Sequence, residues 1–115
     1  MNYSAQQLSL AFERQHAINA QAGELAAFLQ GRGWMTAREI CASLHWSDRE
    51  VREAASTSDE IISYPGSPGY KLLKDCTKEE YDRYRDARKS QARDMIAKVV
   101  RTDRIFYARR AATAL

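Results

Sequence analysis

From Thr77 to Leu115 the chain contains neither glycine nor proline. These two residues oppose helix interiors by about 1 and about 3 kcal/mol each, so nothing in this stretch resists one continuous helix. Thr77 with Glu80 three residues on makes a capping box, in which each side chain accepts the other residue's unpaired backbone N–H. The pattern predicts a helix from about Lys78 into the 100s. Even about 24 helical residues span about 36 Å, longer than one side of a small compact domain needs. The chain has 115 residues, 44% hydrophobic and 29% charged, the balance of a folded globular protein. That length suits one domain, or one domain with an appendage.

The remainder divides at its turn residues. Leu8, Ala11, Gln15, Ile18, Ala22, Leu25 and Leu29 recur in steps of three and four, the spacing of one helical face. Ser4 and Gln7 offer a capping box at its start, and Gly31 and Gly33 a stop. Gly23 weakens the segment, leaving open one helix or two joined near 19–23. Trp34-Met35 reads as a strand-like step. Thr36 with Glu39, and Ser47 with Glu50, open two more helices. Their inner faces are Ala37, Ile40, Cys41 and Leu44, then Val51, Ala54 and Ala55. Ser56-Thr57-Ser58-Asp59 closes the second, because short polar side chains compete for backbone hydrogen bonds. Ile61–Tyr64 and Tyr70–Leu73 read as strands, with Pro65-Gly66-Ser67-Pro68-Gly69 as a five-residue hairpin tip.

Charge is unevenly spread around a net +3. Residues 36–60 hold three basic and six acidic side chains, whereas residues 78–115 hold eleven basic and six acidic. A basic C-terminal segment points to a polyanionic partner, nucleic acid first among them.

Two short helices joined by His45-Trp46-Ser47 and followed by a hairpin make the informative unit. Small inner residues, Cys41 and Ala54, permit close crossing of the two helices. This order resembles a winged helix-turn-helix domain from about Asn19 to Lys74. The stretches Thr36–Leu44 and Ser47–Ala55 are similar to small DNA-binding proteins of bacteriophages and prophages. Ile61–Leu72, with its Gly-Ser-Pro-Gly-Tyr turn, resembles their wing. The chain departs from the pattern in placing His45 where glycine is usual, and in the net acidity of the helix-turn-helix stretch. The expected fold is mainly α with a small β-hairpin: a helical extension over 1–18, the winged domain over 19–76 and a long basic helix over 77–115.

The resemblance implies double-stranded DNA as partner, in phage or prophage transcription regulation or as an accessory in replication or recombination. A recognition helix reads base edges from its N-terminal turns, which nominates Ser47, Arg49, Arg52 and Ser56. Arg38, Ser67, Lys71 and Lys74 are candidates for backbone contact around the wing. Arg88, Lys89, Arg93, Lys98, Arg101 and Arg104 supply the basic C-terminal helix. Ala92, Met95, Ile96, Val99 and Phe106 form an apolar stripe that requires cover, and a homodimer through the terminal helices is the expected source. The competing accounts are a single chain whose own terminal helices pair, and a protein-interaction module that does not read DNA.

No Gly-rich phosphate loop, His-Glu-x-x-His or Cys-x-x-Cys occurs, so an enzyme, a metal site and a cofactor are not expected. Cys41 and Cys76 do not make a disulfide framework, and Cys41 is expected as a small core hydrophobe. The start, Met1-Asn2-Tyr3-Ser4-Ala5-Gln6-Gln7, lacks the basic and apolar regions of a signal peptide. With no apolar run near the ~18 residues of a membrane span, the expectation is a cytoplasmic protein with no membrane partner.

Overall fold

Capping boxes set every helix start. The computed structural model describes residues 4–114. Residues 1–3 of the expected N-terminal extension and residue 115 of the expected C-terminal helix lie outside the described residues. Among the described residues are four α-helices: α1 (Ala5–Leu29), α2 (Ala37–Leu44), α3 (Asp48–Thr57) and α4 (Lys78–Ala114). Ser4–Gln7, Thr36–Glu39 and Ser47–Glu50 each form both reciprocal bonds of the box. At α4, Glu80 N–H donates to Thr77 Oγ1 at 3.2 Å and Thr77 N–H donates to Glu80 Oε1 at 2.9 Å.

α1 is one unbroken helix, with no joint at 19–23. Ala22, Leu25, Ala26 and Leu29 are buried on either side of Gly23, and that packing outweighs the roughly 1 kcal/mol propensity deficit of one glycine. The expected boundary between 18 and 19 therefore falls inside a helix. Burial, however, changes there: residues 4–17 are exposed, and packing begins at Ile18. α1 ends where Gly31 and Gly33 take φ of +71° and +73°, a region open to glycine. The Asp75 carboxylate accepts the Gly31 N–H at 2.9 Å.

α2 and α3 meet through His45, whose φ of 57° and ψ of 40° place it in the left-handed region. The core is built from one face each of α1, α2 and α3 with two residues of the hairpin: Leu25, Leu29, Ile40, Val51, Ala54, Ile61 and Leu72. Cys41, Leu44, Trp46 and Ala55 pack at its margin.

The sheet is smaller than the sequence predicts. β1 (Ile61–Ile62) and β2 (Lys71–Leu72) pair antiparallel, Ile61 with Leu72 and Ile62 with Lys71. Each strand is shorter than expected by two residues, and Tyr70 pairs with Met35 instead of extending the hairpin ladder. Its N–H donates to Met35 O at 2.8 Å, and its C=O accepts from Met35 N at 2.9 Å. The Trp34-Met35 step thus supplies an isolated bridge on the far side of β2 from β1. Between the strands, Ser67 closes the loop on itself: its Oγ accepts from Tyr64 N at 3.2 Å and donates to Gly69 O at 3.2 Å.

After a 3₁₀ turn over Leu73–Asp75, α4 passes the hairpin loop, where Arg83, Asp86 and Ala87 share a cleft with Tyr64, Pro65 and Gly66. Beyond Ala87 every described residue of α4 is exposed. Its full length is about 55 Å. The molecule measures 63 × 44 × 21 Å with a radius of gyration of 19.6 Å, against about 13 Å for a compact chain this long. No helix of the described residues is long and apolar enough to cross a membrane.

Candidate nucleic-acid interface

α3 buries Val51 and Ala54 and leaves Asp48, Arg49, Arg52, Glu53 and Ser56 exposed. The helix is tied to the body from its inner side. Glu50 accepts from Gln21 Nε2 of α1 at 3.0 Å and from Ser47 N at 3.1 Å. Bonds from the Ser47 backbone, then the Ser47 hydroxyl and the Gln21 amide, hold its carboxyl below the usual range. The outward face is therefore presented on a fixed element.

That face does not stand alone. Arg49, Arg52, Glu53 and Ser56 form one wall of a groove of about 910 Å³. Tyr84 and Arg88 of α4 also line it, with Ser58, Asp59, Ile61, Ile62, Ser63 and Tyr70 completing it. Ile61 and Ile62 are both buried and form the floor of the groove. Burial, then the nearby Asp48 carboxylate, raises the Tyr70 phenol above its usual range, so it stays a protonated donor at neutral pH.

The expected contact residues fall into separate groups. Arg49 makes no ion pair among the described residues, whereas Arg52 binds Asp48 at 2.5 Å while its side chain remains 70% exposed. Ser47 is exposed, with its Oγ accepting from Glu50 N at 3.2 Å. Ser56 lies in the groove. Arg38 and Lys74 are exposed but outside its lining. Ser67 is half-buried, and its hydroxyl is engaged within the loop.

Lys71 is not offered to a phosphate. Its side chain is 12% exposed, and Nζ lies 2.8 Å from Glu80 Oε1. Trp34 Nε1–H donates to the other oxygen of Glu80 at 2.5 Å. The Lys71 bond first, then the Thr77 N–H, with Trp34 adding to them, holds the Glu80 carboxyl at about 2. The local sequence marks Glu80 as a cap. Its second role, joining α4 to the hairpin, depends on contacts with Lys71 of β2 and with Trp34 far away in the chain.

On α4, Lys89, Arg93, Lys98, Arg101 and Arg104 are exposed. At 100° per residue, Arg93, Arg101 and Arg104 fall opposite Met95, Val99 and Phe106. Those three are exposed by 70%, 57% and 53%, and Ala92 and Ile96 beside them are also exposed. The chain's own α1 leaves this stripe uncovered. Tyr84, and Arg88, expected as one of the helix cations, acquire a shared setting only through the path of α4. Sequence periodicity carried no signal for Tyr70 or Ser63 in this groove.

No protein-family model, curated protein or solved structure matches the chain.

Proposed function

We propose that the chain is a double-stranded-DNA-binding protein of winged helix-turn-helix type, with α3 as its reading helix. The observation that carries this is the outward face of α3. It is exposed and firmly seated, with Arg49 unpaired at its first turn. An arginine there can bind guanine O6 and N7 bidentately. The exposed cations of α4 supply sequence-independent attraction to phosphate. A role in phage or prophage transcription regulation, or in replication or recombination, follows from the resemblance given above. The reading pairs two copies through the terminal helices.

One observation favours a second reading, a winged-helix module that binds protein. Asp48 neutralises Arg52, and Glu53 stands beside it, so the reading face carries little net positive charge. A gel shift with duplex DNA at about 50 mM salt separates the two. The DNA reading expects retention that weakens steeply with salt. With a sequence selected from a random pool, Arg49→Ala weakens binding by about 1–3 kcal/mol and relaxes the preference. Absence of retention by the unaltered protein sinks the DNA reading.

A further inference from the structure

We propose that the groove between α3 and α4 straddles one sugar–phosphate strand, with Arg88 on the α4 wall as its phosphate ligand and Arg49 on the α3 wall left to the bases. This rests on the DNA-binding reading and assigns the groove within it. The first support is dimensional. An α-helix with side chains is about 10–12 Å across, and the major groove of DNA is about 12 Å wide. It admits one helix, not two abreast. With α3 in the major groove, the root of α4 stands outside it, and the strand that borders the groove passes between the two helices. The cavity of about 910 Å³ that Arg49 and Arg88 both line is the space left for it.

The second support is chemical. Neither Arg49 nor Arg88 makes an ion pair among the described residues, whereas Arg52 is held by Asp48. The unpaired Arg88 guanidinium matches phosphate oxygens in geometry and charge. A concave site also concentrates the potential it creates. Glu53 and Asp59 line the same groove and oppose a phosphate strand, so they limit its affinity.

Fluorescence anisotropy with a labelled duplex and the full chain tests the assignment. Arg88→Gln and Arg104→Gln remove the same charge from exposed positions of the same helix, one inside the groove and one remote from it. The expected result is a loss of about tenfold for Arg88→Gln, a salt slope lower by about one, and a much smaller loss for Arg104→Gln. Asp59→Asn tightens binding, and Asp103→Asn on the free part of α4 does not. A labelled single strand of equal length distinguishes a free strand from a duplex edge, and Arg88 dependence with either supports the groove. Equal losses for Arg88→Gln and Arg104→Gln overturn the proposal while leaving DNA binding in place. No binding by the unaltered protein fails the underlying reading as well. Circular dichroism confirms that each variant retains its helix content.

Discussion

Two glycines show how little a residue's identity says without its neighbours. A Cβ on Gly69 would lie 2.1 Å from Met35 O and 2.9 Å from Thr36 Cα. Both are backbone atoms, fixed by the Met35–Tyr70 bridge. Gly69→Ala is therefore expected to destabilise the protein by about 3 kcal/mol, the upper part of the range for overpacking. Gly23 has nothing within 4 Å of its added Cβ and lies exposed inside α1. Gly23→Ala is expected to stabilise by about 0.5–1 kcal/mol. Urea unfolding of both variants checks the opposite signs. In the sequence, Gly69 reads as one of several turn residues and Gly23 as a possible joint. The distinction lies in what the fold places beside each.

At the scale of the element, the starts of the helices were legible because a capping box is a local interaction between residues three apart. Their lengths and attachments were less so. α4 is joined to the hairpin through Glu80, which binds Lys71 and Trp34. A carboxylate held low contributes stability that is present above its unfolded value, 4.5, and lost as pH falls toward about 2. The Trp34 indole N–H resonance is thus expected to leave its hydrogen-bonded position between about pH 4.5 and 2. Glu80→Gln keeps a capping side chain but removes the charge facing Lys71, so the variant should lose this acid transition. An unchanged titration would show that Glu80 does not hold the root of α4. The Met35–Tyr70 bridge is a related case: Tyr70 satisfies its backbone at Met35, a partner no local strand pattern names.

The whole molecule has a small packed body and two unpaired helical projections. Leu8, Leu10 and Phe12 are exposed on α1, as are Met95, Ile96, Val99, Val100, Ile105, Phe106 and Tyr107 on α4. Met95, Val99 and Phe106 share one face of α4, and an exposed apolar stripe calls for cover. Among the described residues α1 does not cover it, and in the proposed reading a second copy does. Sedimentation equilibrium should return twice the chain mass, and Val99→Asp should return the single mass with helix content retained. A single mass for the unaltered protein would leave the stripe to another partner.

What the sequence determined by itself are the features that local physics decides: where each helix begins and which residues share an inner face. Those depend on hydrogen bonds and periodicity within a few residues. Only the tertiary structure decided that Lys71 turns inward to Glu80, that α1 runs unbroken through Gly23, and that Arg88 faces the same groove as Arg49. Each of these is settled by contacts between residues far apart in the chain, whose energies no short window of sequence contains.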